Sequence, residues 1–306
     1  MIDRLQDLYQ QFFGSHVFVS PIYLVSFAAI AWAVYRMRSE KIGFLRWLLP
    51  RAIWTHRSTR LDLILFTIGQ LMHFFGIVTR FVATPAVAVA VAGFVPATPF
   101  EDVFSSPILL ALVFWVVGDF AIYWVHRAHH SIEVIWPLHA VHHSAAVMTP
   151  FTAYRQHPLG ILVSAAFHSV ITGAVLGLLV GVLQPSATTA SIAGANAFFV
   201  IANLTVTNFQ HTHIWISFGP ILERLFISPA QHQVHHSTDP AHFNRNFGQT
   251  LAIWDWVFGT LYITKSDECV TFGLDNKADA PLMTHRLWPV LWDPMRRMFG
   301  VAKGRP

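Results

Sequence analysis

Residues 108–130 read ILLALVFWVVGDFAIYWVHRAHH, an apolar run that ends in three histidines. Its apolar part, Ile108 to Val125, approaches the length of about 20 mostly apolar residues that crosses the hydrocarbon core of a bilayer. Histidines at the end of such a segment lie at the depth of the membrane surface. The stretch therefore predicts a membrane helix with a polar site at one end.

The whole chain has the composition of a membrane protein. Of its 306 residues, 54% are hydrophobic and only 12% are charged, whereas soluble domains carry about 25% charged residues. This argues against a soluble globular enzyme and against disorder. The 18 histidines outnumber the 16 acidic residues. Because an unpartnered buried imidazole costs free energy, we expect these histidines to serve a site.

Cysteine content and charge exclude further classes. Cys269 is the only cysteine, so we expect neither an internal disulfide nor a thiolate-rich metal site. The net charge of +4 is small, and the basic residues are clustered. Clustering is typical of membrane topology and not of nucleic-acid binding. The N-terminal stretch MIDRLQDLYQ lacks a basic region, so no cleaved signal peptide is expected.

Five apolar segments predict an all-α bundle of about four to five transmembrane helices. They cover residues 17–34, 61–78, 108–125, 160–183 and 188–206. The run 82–95 contains Pro85 and Gly93 and is too short to cross, so we expect a re-entrant or interfacial segment there. The histidines predict a helical cap at the membrane surface.

The basic residues set the expected orientation. The loop from Arg36 to Arg60 holds seven of the 20 lysines and arginines, and such loops stay in the cytoplasm. Five spans then put the N-terminus outside and the histidine-rich helix ends on the cytoplasmic side, in what we expect is a bacterial inner membrane. We expect one integral-membrane domain, 1–306, with N-terminal spans and the basic loop in 1–100, a catalytic histidine region in 107–262 and a cytoplasmic tail in 263–306.

Four histidine clusters carry the chemical signal. On a helix, positions i, i+3 and i+4 share one face, so each cluster is able to aim two or three rings at one point. A lone H-x3-H motif is weak evidence for a metal site, but an H-x3-H motif followed by two copies of H-x2-HH is a specific signal. The clusters are His126-Arg-Ala-His129-His130, His139-Ala-Val-His142-His143, His211-Thr-His213 and His232-Gln-Val-His235-His236.

Eight or nine neutral imidazoles suit two metal ions better than one. A structural zinc site closes with four ligands and usually includes thiolates, whereas imidazole suits iron, zinc, copper and nickel. An all-histidine shell leaves both ions strongly positive and open to an oxygen-derived ligand. This arrangement is expected of a membrane di-iron oxygenase.

At these residues the chain resembles the fatty acid hydroxylase superfamily, also called the sterol desaturase family. The resemblance runs from about residue 119 to residue 262. It rests on DFAIYWVHRAHH, WPLHAVHHS, YRQHPL, FQHTHI and SPAQHQVHHSTDPAHFNRNFGQTLAIWDWVFGTLY. Members are integral membrane enzymes with a di-iron centre held by such histidine boxes. The metal ligands that the resemblance implies here are His126, His130, His139, His142, His143, His211, His232, His235 and His236.

The resemblance also implies the reaction and its partners. Two iron ions would use O₂ and external electrons to hydroxylate or desaturate a lipid or sterol-like substrate, with zinc or another divalent metal as a substitute in purified protein. The electron donor would be a ferredoxin-, cytochrome b5- or reductase-like protein, which the basic loop is suited to dock. Gly160 departs from the family pattern, since many members have Glu after the R-x-H-P-L element.

Other polar residues are candidates for holding the ligands in place, because ligand histidines usually donate their second N–H to a carboxylate or carbonyl. Asp119 lies two helical turns before His126 on the same face. His213 and His242 are weaker ligand candidates. The candidates for a further ligand or for such a partner are His157, His129, Asp119, Asn246 and Asp255.

Three other classes of protein are weighed against this interpretation, and the first of them stays open. The main alternative is a histidine-rich membrane metal-binding or transport protein without oxygenase activity, although transporters place ligands near the bilayer midplane. A membrane zinc hydrolase needs a general-base Glu as in H-E-x-x-H, and the sequence contains no such motif. A bis-histidine haem carrier needs single axial ligands from opposite helices, which paired adjacent histidines do not suit. The residues do not identify the lipid, and they do not separate hydroxylation from desaturation.

Overall fold

The computed structural model describes residues 2–95, 106–183, 197–198, 200–205, 207–265 and 268–300. In these ranges the chain is helical, without a strand beyond two isolated β-bridges, which confirms the all-α class. The α-helices are α1 (Ile2–Phe13), α2 (Pro21–Arg38), α3 (Phe44–Leu48), α4 (Arg51–Trp54), α5 (Arg57–Phe74), α6 (Thr84–Ala92), α7 (Pro107–Ser131), α8 (Trp136–His143), α9 (Pro158–Leu183), α10 (Gly219–Leu222), α11 (Pro229–His235), α12 (Ile253–Val257), α13 (Ala280–Met283) and α14 (Leu287–Met298). The 3₁₀ helices are Val78–Phe81, Pro150–Tyr154, Thr207–Phe209, Pro240–His242 and Lys277–Asp279.

Two helices of the described chain, α7 and α9, are long and apolar enough to cross a membrane. Within the described residues a third candidate span arises if α5 and the segment Val78–Ala92, which meet at 71°, count as one bent span. Helix α2 carries Arg36 and Arg38 in its last turn, and these charges keep it from the apolarity of a span. The predicted segment 188–206 lies largely outside the described residues. The five-span count therefore stays a prediction.

Local chemistry fixes where the two long helices begin. The Ser106 hydroxyl accepts from the Leu109 backbone N–H, and Pro107 occupies the first helical position, where its missing N–H costs nothing. Before α9, the His157 Nδ1 accepts from the Leu159 N–H at 3.1 Å. Helix α7 thus ends in histidines, and the neighbouring helix α9, which packs against it, begins directly after a histidine.

Helix α6 packs closely against α9 through glycines spaced four residues apart. A Cβ at Gly173 would lie 2.8 Å from the Thr84 carbonyl oxygen, and one at Gly177 would lie 2.6 Å from the Ala88 carbonyl oxygen. Only glycine lets two helix backbones approach this closely, as in membrane helix pairs with a small-xxx-small spacing. The short helix packs on a candidate span, and its bend against α5 is that of a broken span or of a re-entrant segment, so the predicted re-entrant or interfacial segment stays a prediction.

The basic loop lies at the same end of the molecule as the histidine segments. The Arg38 guanidinium donates to the Trp215 carbonyl, and the His213 imidazole lies 2.9 Å from the Trp47 carbonyl oxygen. A buried apolar cluster that includes Leu61, Val141 and Val290 joins α5 and α8 to α14. These contacts fix the histidine-bearing segments against the helices that precede them in the chain.

Candidate metal centre

Nine histidines meet in two adjoining groups at one end of the bundle. In each group, one nitrogen of every ring lies within 4.8 Å of the others. Helix α7 contributes the H-x3-H pair, α8 the first H-x2-HH, and α11 with the residue after it the second. One group contains His126, His130, His139, His143 and His235; the other contains His142, His211, His232 and His236.

Helical periodicity explains how adjacent histidines join different groups. The first group is built on two i, i+4 pairs, His126 with His130 and His139 with His143. His142 precedes His143 by one residue, which turns its ring about 100° away and into the second group. The H-x2-HH pattern therefore serves two groups from one short helix.

The first group has ring nitrogens that need a ligand. The Nδ1 atoms of His126 and His235 lie 2.9 and 2.7 Å from the carbonyl oxygens of Phe247 and Arg245. A carbonyl only accepts, so each Nδ1 carries the proton and each Nε2 holds a lone pair. These two Nε2 atoms and that of His130 are buried without a hydrogen-bond partner. Buried acceptors without a partner are rare in native proteins, and a metal cation satisfies them.

The second group has the spacing of atoms around a metal ion. The Nε2 atom of His211 lies 3.2 Å from that of His142 and 2.9 Å from that of His232, and the Nε2 atoms of His232 and His236 lie 3.3 Å apart. Metal–nitrogen bonds of about 2.0–2.1 Å place neighbouring ligand atoms roughly 3.0–3.4 Å apart. The residues therefore fit a bound metal.

Burial keeps these rings in the form that binds metal. It lowers the pKa of His142 to about 3 and that of His235 to about 4, because a buried site disfavours the charged imidazolium. Burial moves the pKa of His211 and of His236 in the same direction. At neutral pH the rings are uncharged, and only neutral imidazole coordinates a metal.

The two groups adjoin each other. The rings of His143 and His236, one from each group, are stacked with centroids 4.4 Å apart. A cavity of about 10 Å³, lined by residues that include His139, His142, Gly160 and Ser164, borders both groups. Gly160, the departure from the family pattern, thus lies beside the histidines and adds no side chain to that space.

Asp255 supports a histidine through a single peptide group. Its Oδ2 accepts from the Gly248 N–H at 2.8 Å, and the carbonyl of the same peptide group, that of Phe247, accepts from His126. Its Oδ1 accepts from the Phe247 N–H at 2.8 Å and from the Thr260 hydroxyl at 2.6 Å. Hydrogen bonds in a chain polarise one another, so Asp255 orients His126 indirectly.

Asp119 and Asn246 also act on backbone rather than on a histidine ring. The Asp119 carboxylate accepts from the backbone N–H groups of Thr250 and Leu251 and from the Trp254 indole at 2.9 Å. Asn246 donates to the Gln231 carbonyl and accepts from the Tyr262 N–H. Both residues fix the segment that carries Phe247 and Gly248 against the histidine helices. The sequence predicts a direct bond from each to a ligand histidine, and the bonds described here replace it.

Four further histidines that the sequence offered as candidates lie outside both groups. His129 places its Nδ1 2.8 Å from the Val125 carbonyl oxygen, and His157 places its Nε2 2.9 Å from that of Leu291. His213 is bonded to Trp47, as described above, and His242 pairs with Glu268 at 2.9 Å. These bonds favour structural roles for the candidates His129 and His157.

Sequence reasoning missed three buried charged residues that brace the site, the ion pair of Arg155 and Asp62 and the carboxylate of Glu223. Arg155, fully buried, pairs with Asp62 at 2.8 Å and donates to the Val141 and Ser144 carbonyls at the end of α8. Glu223 accepts from Ser228, which caps α11. The signal for the first pair was present, because an aspartate inside the apolar segment 61–78 requires a partner.

The fold and the site define a membrane protein with a histidine-rich centre that could hold metal. Residues 111–260 match the fatty acid hydroxylase family model. This match confirms the resemblance seen in the histidine boxes.

Curated relatives are lipid-modifying enzymes by name. Alkylglycerol monooxygenase of Danio rerio is 31% identical over 191 residues, which cover 60% of this chain and 38% of that protein. The human alkylglycerol monooxygenase is 29% identical over 181 residues, or 57% of this chain and 36% of that protein. Ornithine lipid hydroxylase OlsE of Rhizobium tropici is 30% identical over 165 residues, or 53% of this chain and 44% of that protein. The chain thus spans less than half the length of these relatives. No solved structure matches it.

Proposed function

We propose that this chain is an O₂-dependent membrane oxidoreductase that hydroxylates a C–H bond of a lipid at a centre of two iron ions. The observation that carries this proposal is the pair of adjoining all-histidine groups with unpartnered ring nitrogens. Family membership of residues 111–260 and the names of the relatives support it. The nine grouped histidines are the proposed ligands.

The reaction balances only with external electrons. A C–H bond, one O₂, two electrons and two protons give the alcohol and one water. When bound, the two metal ions supply the oxidising chemistry, which no side chain provides. The chain positions them: Phe247 and Arg245 orient two imidazoles, Asp255 stiffens one of these bonds, and the buried surroundings exclude bulk water.

The proposed substrate is an amphiphilic lipid that enters from the bilayer. The site lies at the ends of α7 and α9, so a lipid in the membrane reaches it from the side. The small cavity beside Gly160 and Ser164 borders both histidine groups, which supports an approach of the reacting carbon from this side once the surrounding side chains move. Alkylglycerols and ornithine lipids are the first substrates to test, because relatives are named for them.

The proposed electron donor is an acidic redox protein in the cytoplasm. The loop from Arg36 to Arg60 holds a third of the basic residues and contacts the histidine-bearing segment through Arg38. Opposite charges steer such a partner towards the site. This proposal also places the histidine groups on the cytoplasmic side of a bacterial inner membrane.

The decisive experiment combines metal analysis with lipid mass spectrometry. We expect the purified protein, reconstituted with ferrous ion, to hold two irons per chain and to consume O₂ with a lipid and reductant. The lipid should gain one oxygen in mass. His142→Ala should abolish this gain and reduce bound metal, while Cys269→Ser, an exposed residue outside both groups, should retain it.

Other outcomes separate the alternatives. A lipid that loses two hydrogens identifies a desaturase acting through the same centre. One tightly bound zinc with no O₂ consumption would favour the metal-binding or transport protein. Normal product from His142→Ala would refute the ligand assignment.

A further inference from the structure

A second, open cavity lies away from the histidine groups and is basic. It measures about 460 Å³ and lies between the start of α5 and the turn before α14. Four of its lining residues are His56, Arg57, His285 and Arg286, and the other three are uncharged. No acidic side chain lines it, and no ion pair is recorded for either arginine within the described ranges.

Both imidazoles in this cavity are held as hydrogen-bond donors. His56 Nδ1 accepts from the Ser58 N–H at 3.1 Å. His285 Nδ1 lies 3.1 Å from an Arg155 guanidinium nitrogen, which only donates. In each neutral ring the other nitrogen, Nε2, therefore carries the proton. Two N–H groups and two guanidinium groups make a lining of donors, which is complementary to an anion with several oxygen acceptors.

The composition of the surrounding helices favours a position of this cavity at the level of lipid headgroups. Arg57 is the first residue of α5, whose later turns are apolar. Arg286 directly precedes α14, on which Trp288 and Trp292 are 77% and 65% exposed one helical turn apart. Exposed tryptophans of this kind concentrate at the membrane–water interface.

We propose that this cavity is a phosphate-binding site for the headgroup of a membrane phospholipid or for free phosphate. Arg57 and Arg286 supply charge-assisted hydrogen bonds, and His56 and His285 supply neutral ones. The volume exceeds that of a single phosphate and leaves room for a glycerol unit. This site is independent of the oxidation proposed above, because it uses none of the grouped histidines.

The test measures binding to the full chain in a neutral detergent. The probes are inorganic phosphate and short-chain dihexanoyl phosphatidic acid. Isothermal titration calorimetry measures the affinity of the chain for each probe. The variant R57Q/R286Q should weaken both probes by at least about tenfold. The matched control R60Q/R296Q removes two exposed positive charges from the same two helices outside the cavity and should bind as the wild type does.

The outcomes separate the sources of phosphate. Much tighter binding of phosphatidic acid, lost in R57Q/R286Q, identifies a lipid headgroup, whereas equal binding of both probes identifies free phosphate. Absence of binding to the wild type, or equal weakening in the control, would overturn the proposal. The single variants R57Q and R286Q should each give a partial loss, which guards against a folding defect in the double variant.

Discussion

At the scale of single residues, hydrogen bonds decide which nitrogen of a histidine is free to coordinate. His126 and His235 both donate Nδ1–H to backbone carbonyls, so their Nε2 atoms turn inward. The carbonyl that holds His126 belongs to the peptide group that Asp255 anchors. Gly248 permits this contact, since a Cβ there would lie 3.0 Å from the Asp255 carboxylate and 2.5 Å from the Leu251 carbonyl oxygen.

Asp255→Asn should therefore weaken metal binding while the chain stays folded. The two backbone N–H groups face different oxygens of the Asp255 carboxylate, and an amide replaces one of these oxygens by an NH₂ group, which only donates. One of the two bonds is therefore lost, and His126 loses its fixed orientation. We expect metal affinity to fall about 10- to 100-fold. Metal content after dialysis against increasing chelator measures this, with Asp239→Asn as the control, because its amide oxygen is still able to accept from the Ala241 N–H. Equal metal retention in Asp255→Asn and the wild type would contradict the role of Asp255.

The ion pair of Arg155 and Asp62 makes a second residue-scale prediction. Arg155→Met leaves a buried carboxylate without its partner and removes the donors at the end of α8, so we expect a loss of about 3–5 kcal/mol in unfolding free energy. The double variant Asp62→Leu with Arg155→Met leaves no uncompensated charge and should be clearly more stable than Arg155→Met alone. Thermal unfolding in detergent measures both. A double variant that unfolds at the temperature of the single variant would show that the lost backbone bonds, and not the unpaired charge, dominate.

At the scale of elements, close contact between helices holds the bent segment against α9. Glycine substitutions in the two membrane helices provide a matched comparison. At Gly177 of α9, a Cβ would lie 2.6 Å from the Ala88 carbonyl oxygen, whereas at Gly118 of α7 nothing lies within 4 Å. The same substitution therefore meets opposite environments in two apolar helices.

Gly177→Ala should destabilise the chain by about 1–3 kcal/mol, because α6 must move away from α9. Gly118→Ala should be neutral or stabilising, since alanine favours helix by about 1 kcal/mol where space allows. The measurement is the unfolding temperature of each variant in the same detergent. If Gly177→Ala unfolds at or above the temperature of Gly118→Ala, the close packing of α6 on α9 is wrong.

At the scale of the whole molecule, the proposed orientation puts every histidine box on the cytoplasmic side. Cys269, the only cysteine, is exposed and follows the last box, so it reports the side of the membrane without any mutation. We expect a membrane-impermeant maleimide to label it in permeabilised cells and not in intact spheroplasts. Cys269→Ser should remove the signal from permeabilised cells. Labelling of intact spheroplasts would place the histidine groups on the opposite side.

Much of the site could be predicted from the sequence, because the spacing of its histidines within each helix is a local property of that helix. The pairs His126–His130 and His139–His143 are each i, i+4, and a helix brings such residues onto one face whatever surrounds it. The all-α class and the apolar segments of α7 and α9 follow from local composition in the same way. The orientation and the five-span count are still predictions.

Only the tertiary structure decided how the histidines divide and what holds them. That His142 joins His211 while His143 joins His130 depends on how α8 packs against α7 and α11. The same holds for the contact of Asp62 with Arg155, 93 residues apart, and for the basic cavity that joins the start of α5 to the turn before α14. Helical periodicity acts within a few residues and is written in the sequence, whereas contacts between distant segments depend on the packing of the whole chain.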